Sequence, residues 1–597
     1  MKKFLSANEA VAHAAAQAGC VVASAYPGTP STEILENVAK FKDTVRCEWA
    51  VNEKVAVETA VGASMAGARA LTAMKHVGLN VAMDPLMTFT YVGPLGGFVL
   101  ISADDPGMHS SQNEQDNRNL AKFARALLLE PADSQEAYDM TVKAFELSEE
   151  FQVPVIIRLT TRTSHSASMV ELGDFKPAPH PLLPYVKNIQ KNIPVPAFAP
   201  TQRLNAQKRT LAMEKAANVS KFNRIVKPVV RGGARKSGQA KFGFVTSAVA
   251  YQYVREIFPD CPILKLGWTN PLPKALVTKF AKSVEKLAVV EELDPFLEDQ
   301  IKAMGIPVVA HKTELNMLEL NADRLQNLRH ELIGDVPKAK AKKTDTTLPR
   351  RPPVLCAGCG HRGVFYTLHK LGAIVTGDIG CYTLGAFPPL NAMDSTICMG
   401  ASIGNAAGMK KAGLKGRICA VLGDSTFFHS GMTGILSALY NGTPVTTVVL
   451  DNRITGMTGH QDNPGSGKTL AGDPAPVTEI DAIAKACGYK RVVTVSADDL
   501  AALETTLAEA MDSNEPALVI AYAPCRIAAK LTKEGLCETD PEKCKACGMC
   551  FKLGCPAITR GAEVAPGRFQ MKIDASLCAG CKHCTQVCKF GAIRRVR

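Results

Sequence analysis

The sequence predicts a multidomain α/β protein that ends in a small α+β module. Three observations carry this. Short apolar runs alternate with helix-period segments over 1–165, 240–331 and 354–530, the pattern of doubly wound parallel sheets covered by helices on both faces. Two stretches lack that rhythm: 166–239, where seven prolines fall between Pro177 and Pro200, and 332–353, which includes the polar run "GDVPKAKAKKTDTTLPRRPP". The last segment, 535–597, repeats a CxxCxxC set, and eight of the nineteen cysteines lie between Cys544 and Cys588. At 597 residues the chain is also too long for one core.

In the first segment "GCVVASAYPGTPSTEI" reads as a strand, a Pro/Gly turn and a helix opening at Ser31 and Thr32, with Glu33 in its first turn. The 166–239 stretch reads as a long crossover. At 240–331 "KFGFVTSAVAYQYVREIF" restores the α/β pattern, and "KLAVVEELD" is a buried strand. The 332–353 stretch is a flexible Pro/Lys linker. The start, "MKKFLSANEA", lacks the apolar core of a secretory signal, and no apolar run approaches the ~18 residues of a membrane span. Cysteine pairs in so large a chain suit metal in a reducing compartment better than disulfides, so a cytoplasmic location with no membrane or nucleic-acid partner is expected. The formal charge of +13, from 69 basic and 56 acidic residues, is spread along the chain, as on a solvated surface.

In the tail, ferredoxin-type runs place three thiolates on one cluster and send the fourth cysteine to the other. By that rule Cys544, Cys547, Cys550 and Cys588 hold one [4Fe–4S] cluster, and Cys578, Cys581, Cys584 and Cys555 hold a second. Two features depart from the pattern: four residues separate Cys550 from Cys555, and Lys589 follows Cys588 where proline is usual. A pair of structural zincs is the alternative, which the crossed triplets disfavour.

A source of electrons is expected in 354–530. "ICAVLGDSTFFHSG" and "VTTVVLDNRITGMTGHQ" are β-branched runs ending in Gly423-Asp424 and Asp451-Asn452. Residues just past the carboxyl ends of parallel strands line the ligand crevice. If the two strands are neighbours, Asp424, Asn452 and the carbonyl of Ile454 form half a magnesium shell, the remainder coming from a diphosphate and water. Nearby "NPGSGKT" imitates a phosphate loop, but Asp462 stands where its first glycine belongs.

The spacing resembles the GDG…NN signature of thiamine-diphosphate enzymes, with Ser425 in place of the third glycine and Asp451 in place of the first asparagine. Such enzymes set a glutamate against the aminopyrimidine, nine residues before a glycine. "VNEKVAVETAVGASMAGARA" supplies Glu53 and Gly62, with Glu58 as the competing carboxylate. With "YPGTPST", "CAGCGHRGVF", "GDIGCYTLG" and "MGASIGNAAGM", the whole chain is similar to the large subunits of indolepyruvate:ferredoxin oxidoreductases, in the 2-oxoacid:ferredoxin oxidoreductase superfamily.

That resemblance implies a pyrimidine-binding domain over 1–165, a transketolase-C-like domain over 240–331, a diphosphate and Mg²⁺ domain over 354–530 and a two-cluster ferredoxin domain over 535–597. It implies oxidative decarboxylation of an aryl 2-oxo acid with coenzyme A, electrons passing to ferredoxin, in a heterotetramer with a smaller subunit. Glu53 and Thr29 are its catalytic residues, Thr29 lying near the substrate carboxylate and the thiol. Gly400, Gly423, Asp424, Ser425, His429 and Asn452 belong to its cofactor motifs. It also implies a third [4Fe–4S] cluster on Cys356, Cys359, Cys381 and Cys525. Cys20, Cys47, Cys261, Cys398, Cys419 and Cys487 read as core or incidental residues. His76, His361, His429 and His460 are polar contacts without an assigned acid–base role. Lys543, Lys545, Lys552, Lys582 and Lys589 around the clusters suit an acidic ferredoxin. Two other functions stay open: a non-oxidative thiamine lyase with structural clusters, and an electron carrier with vestigial thiamine folds.

Overall fold

The structure is a computed structural model, described here for residues 1–173, 186–229, 240–309, 317–340, 347–348, 352–530 and 535–596. The chain divides into two compact units, Met1–Thr344 and Asp345–Arg597, so the division falls within the 332–353 segment.

In the first unit a seven-stranded sheet runs in the order Trp268–Asn270, Leu127–Leu129, Val155–Thr160, Phe98–Asp104, Arg69–Lys75, Cys20–Ala25 and Arg46–Trp49. Only the Trp268–Asn270 edge is antiparallel. The central strands are apolar along their length because helices such as Glu53–Met65 and Ser134–Phe151 cover them. A second sheet is ordered Val284–Val290, Ala240–Ser247, Ile263–Leu266 and Arg224–Val226.

These sheets are interleaved in sequence. Trp268–Asn270, from the 240–331 segment, closes the edge of the first sheet, whereas Arg224–Val226, from the expected crossover, pairs antiparallel in the second. The same crossover contains a 19-residue helix, Ala199–Ala217, with Pro200 in its first turn. Proline is tolerated there because the first N–H groups of a helix lack intrahelical partners, so proline content was a poor guide in this stretch. Pro177 to Pro184 lie outside the described residues.

A buried ion network ties these elements together. Arg158 bonds Asp104 (2.6 Å) and Glu130 (2.8 Å), while Arg118 bonds Asp116 and reaches Glu291 at 2.7 Å. Glu291 in turn accepts the N–H groups of Leu297 and Glu298 at the start of the helix Phe296–Ala303. Each of these charges is repaid only through its partners.

Its neighbour Glu292 is held differently. Oε1 accepts one N–H, from Leu320 at 2.9 Å, and Oε2 has no hydrogen-bond partner. Burial pushes its pKa up to about 7. The folded state therefore holds a proton that the unfolded chain has lost between pH 4.5 and 7, and stability falls as pH rises through that window. The full effect is about 3 kcal/mol, constant above pH 7. Glu292→Gln is expected to flatten this slope by its own share in denaturant melts at pH 5, 6 and 8, raising stability most at pH 8, while Glu291 and Asp424, also pushed up to about 7 by burial, keep theirs; an unchanged slope would assign it to those groups.

The second unit has a six-stranded, all-parallel sheet in the order Ser395–Thr396, Ile374–Gly377, Ile418–Gly423, Thr446–Asp451, Ala517–Tyr522 and Arg491–Ser496. The cysteine-rich tail forms two small antiparallel pairs, Leu536–Thr539 with Ile593–Val596 and Ile558–Ala565 with Arg568–Ile573. It shares one core with the sheet, in which Leu553, Ile558 and Val587 pack with Val364, Phe365 and Leu503. Arg362, fully buried, spans that seam, donating to the carbonyls of Leu553, Leu355 and Cys356.

Candidate active site

The Ile418–Gly423 and Thr446–Asp451 strands are paired neighbours, with Gly423 opposite Leu450, so Asp424 and Asn452 leave the sheet at one edge. Asp424 is buried at the start of a short helix. Its Oδ1 accepts from Ser425 N–H (2.8 Å), and its Oδ2 from Ile454 N–H (3.1 Å) and Asn463 Nδ2 (3.2 Å). Asn452 Oδ1 also accepts from Ile454 N–H, at 3.1 Å. Burial, reinforced by the nearby Asp451, pushes the Asp424 pKa up to about 7, against the pull of its three hydrogen bonds. A carboxylate so poorly hydrated is stabilised by a cation, and oxygen donors on one corner suit Mg²⁺.

The Asn452 amide is fixed from both ends. Its Nδ2 lies 3.3 Å from His361 Nε2. An amide NH₂ only donates, so this imidazole nitrogen is the acceptor. Burial holds His361 neutral, lowering its pKa to about 4. Ser425 Oγ meets Thr455 Oγ1 at 3.0 Å. Gly400, at φ +86°, begins the helix Ala401–Lys411, and a Cβ there would lie 2.6 Å from Ser430 Cβ. His429, buried in a single π-helical turn, contacts Ser430 Oγ at 2.6 Å. His460 is half-buried at φ 68° and stands outside these contacts.

Four cysteines cluster beside this corner. Cys525 N–H donates to Asn452 O at 3.2 Å, and a Cβ on Gly456 would lie 3.6 Å from Cys381 Sγ and 3.9 Å from Asn452 Nδ2. Cys381 feels the charges of Cys356 and Cys525, and Cys359 those of Cys381 and Cys356; burial pushes the Cys381 thiol up to about 11 and that of Cys359 up to about 12.

The tail cysteines surround two separate cavities. One is lined by Cys544, Cys547, Cys550 and Cys588, the other by Cys555, Cys578, Cys581 and Cys584, together with Cys537. The two halves repeat one backbone device: Cys544 N–H bonds Asp540 O, and Cys578 N–H bonds Asp574 O. Among the described residues no three His, Cys, Asp or Glu side chains converge closely enough for a single metal ion, whereas thiols around a cavity suit a polynuclear cluster.

In the first unit, four loops leave the carboxyl edge of the seven-stranded sheet side by side. Thr29 follows Cys20–Ala25, Glu53 begins the helix after Arg46–Trp49, Lys75 ends Arg69–Lys75, and Asp105 follows Phe98–Asp104. Glu53 is buried at the first turn of its helix, behind the capping residue Asn52. The alternative, Glu58, is exposed and paired with Lys54. Gly78 makes the room for Glu53, since a Cβ there would lie 2.6 Å from Glu53 Oε1 and 2.8 Å from Cγ. His76 is fully buried, with Nε2 3.0 Å from Asn113 Oδ1, a structural role.

Comparison with known proteins places three segments of the chain in known families. Residues 13–228 match the family described as pyruvate flavodoxin/ferredoxin oxidoreductase, thiamine diphosphate-binding. Residues 378–521 match the C-terminal TPP-binding domain of thiamine pyrophosphate enzymes, and 571–594 match a 4Fe-4S binding domain. The indolepyruvate oxidoreductase subunit IorA of Archaeoglobus fulgidus is 38% identical over 99% of this chain and 97% of its own. The same subunit of Pyrococcus horikoshii is 39% identical over 100% of this chain and 97% of its own. The chain belongs to the IorA family. It is a subunit of a thiamine-dependent 2-oxoacid:ferredoxin oxidoreductase. A solved 2-oxoglutarate:ferredoxin oxidoreductase from Magnetococcus marinus aligns at a TM-score of 0.45 and 20% identity, over 55% of this chain and 65% of that one.

In this IorA-family chain several participants escaped the sequence reading. Asn463 sits in the loop set aside as a false phosphate motif, with nothing local to mark it. His361 was singled out, but its contact with Asn452 spans 91 positions. Cys537 precedes the first triplet without a CxxC spacing, yet its N–H lies 3.4 Å from Cys578 Sγ. Gly78 lies 25 residues after Glu53 and is visible only as the space that Glu53 fills.

Gly78→Ala tests that space directly. Alanine favours a helix by about 1 kcal/mol over glycine, so the fold is expected to survive while the Glu53 carboxylate is displaced. Thermal stability is expected to hold, with thiamine diphosphate affinity falling about tenfold or more by titration calorimetry; unchanged affinity would separate Glu53 from the cofactor.

Proposed function

We propose that this chain is the large subunit of an enzyme that oxidatively decarboxylates aryl 2-oxo acids of the indolepyruvate and phenylpyruvate type with coenzyme A, passing two electrons through iron–sulfur clusters to ferredoxin. The observation that carries this reading is the corner of buried Asp424 and half-buried Asn452 on adjacent strand ends, in a chain 38% identical to an indolepyruvate oxidoreductase subunit across almost its whole length. Thiamine diphosphate, when bound, supplies the electron sink that lets the 2-oxo acid lose CO₂.

The residues present fit that group. Asp424, Asn452 and the Ile454 carbonyl hold the Mg²⁺ of its diphosphate, and Asn463 and His361 keep the two side chains aimed at the metal. Gly423, Ser425, Gly400 and His429 shape the walls around the diphosphate. Glu53 receives the aminopyrimidine, and its burial strengthens that hydrogen bond. Thr29 contacts the substrate carboxylate and the thiol of coenzyme A.

Cys544, Cys547, Cys550 and Cys588 bind one [4Fe–4S] cluster, Cys555, Cys578, Cys581 and Cys584 a second, and Cys356, Cys359, Cys381 and Cys525 a third. The exposed Lys543, Lys545, Lys552, Lys582 and Lys589 draw in an acidic ferredoxin. A smaller subunit completes a heterotetramer. No helix among the described residues is long and apolar enough to cross a membrane; the proposed location is the cytoplasm.

The test is the purified two-subunit complex with phenylpyruvate or indolepyruvate, coenzyme A, Mg²⁺, thiamine diphosphate and a viologen dye. Dye reduction that requires coenzyme A is expected, with about twelve iron atoms per large subunit, falling to about eight in a Cys356→Ser/Cys359→Ser variant. Aldehyde release without dye reduction would make it a non-oxidative lyase, and neither product despite full metal loading would make it an electron carrier. Branched-chain oxo acids about tenfold better than aryl ones would overturn the substrate assignment.

A further inference from the structure

The oxo acid brings a carboxylate into the site, and a hydroxyl such as that of Thr29 alone compensates poorly for its lost hydration. At the carboxyl edge of the seven-stranded sheet, Lys75 lies against the Thr29 turn with donors to spare. Lys75 ends the strand Arg69–Lys75, whose neighbour Cys20–Ala25 leads into the turn carrying Thr29, with Ala25 opposite Ala73. Its side chain lies across that turn: a Cβ on Gly28, the residue before Thr29, would stand 3.1 Å from Lys75 Cγ and 3.2 Å from Cδ. The turn carries glycine where the lysine stem crosses it.

The ammonium is half-buried and donates a single hydrogen bond, to Ser110 O at 3.0 Å, although it has three N–H groups. Asp105 and Glu53 act on it by charge, but among the described residues no ion pair closes on it. Asp105 is already engaged with Thr161 Oγ1 (2.6 Å), Ser110 N–H (2.8 Å) and Ser111 Oγ (2.7 Å). Burial lowers the Lys75 pKa, the mark of a cation held short of solvent. The other cations close to that edge are committed to acids: Arg158, buried with one guanidinium nitrogen unpartnered, on Asp104 and Glu130, Arg118 on Asp116 and Glu291, and His165 on Glu33 at 3.6 Å.

We infer that Lys75 is the binding residue for the carboxylate of the 2-oxo acid, gripping it beside Thr29 with the two N–H groups left over from Ser110. The assignment rests on the reaction proposed above and adds a determinant to it: the site selects for an acid over its neutral analogue through this ammonium. Lys75 orients the substrate and takes no part in bond making.

Lys75→Met and Lys75→Arg in the two-subunit complex test it. The readouts are the KM values for indolepyruvate and coenzyme A, thiamine diphosphate affinity, iron content, and inhibition by indole-3-lactate against its neutral amide. Lys75→Met is expected to raise the indolepyruvate KM about ten- to a hundredfold, the scale of a lost charge-assisted hydrogen bond. It is expected to erase the preference for lactate over amide, leaving coenzyme A, thiamine diphosphate and iron unchanged, and Lys75→Arg is expected to restore most of the preference.

A variant that keeps the lactate preference overturns the inference. A parallel loss of thiamine affinity would show that Lys75 acts through Glu53, and a rise in the coenzyme A KM alone would assign it to the other substrate; either result also overturns it. Failure of the underlying reaction appears separately, as an unsubstituted complex that neither oxidises the oxo acid nor binds the lactate.

Discussion

Asp424 leaves the Ile418–Gly423 strand into a space almost closed to water, and among the described residues its carboxylate accepts three hydrogen bonds there. The Ile454 N–H is shared between Asp424 and Asn452, so one turn of backbone sets the separation of both oxygen donors. Neutral His361 takes the far end of the Asn452 amide and leaves its oxygen no alternative orientation. The parallel pairing of two apolar strands puts these groups on one edge; loops alone would leave them mobile.

The same corner explains why the cysteine-rich tail shares a core with the sheet. His361 opens a helix that follows the Cys356–Cys359 pair, and the Cys525 backbone bonds to Asn452. A Cβ on Gly358 would stand 2.7 Å from Ala579 Cβ and 3.7 Å from Cys581 Cβ, so the CAGCG loop lies directly against the second cysteine triplet. Arg362 ties the two layers by three backbone carbonyls. One continuous hydrophobic core holds the two cysteine sets in a rigid frame.

The first unit solves a related problem with charge. Its two sheets meet where Arg118 and Arg158 draw together acids from four segments of the chain. That network holds the carboxyl edge of the seven-stranded sheet, while among the described residues Lys75 makes no ion pair. The arginines lie buried against their acids, whereas the lysine on the same edge is half-buried and carries one hydrogen bond among the described residues.

Local chemistry alone determined much of this. The GDS and DN pairs at adjacent strand ends and the two groups of tail cysteines are legible because particular residues at short spacings mark them, and the fold brings each set together. The strand–helix alternation is legible because burial on both faces makes parallel strands uniformly apolar. What only the tertiary structure decided are relations across long separations: Trp268–Asn270 closing a sheet built from residues 20–160, His361 meeting Asn452, Asn463 reaching Asp424, Gly78 clearing space for Glu53. Each depends on which backbone passes close to which, a matter of packing and not of the residues' own preferences, and no local pattern records it.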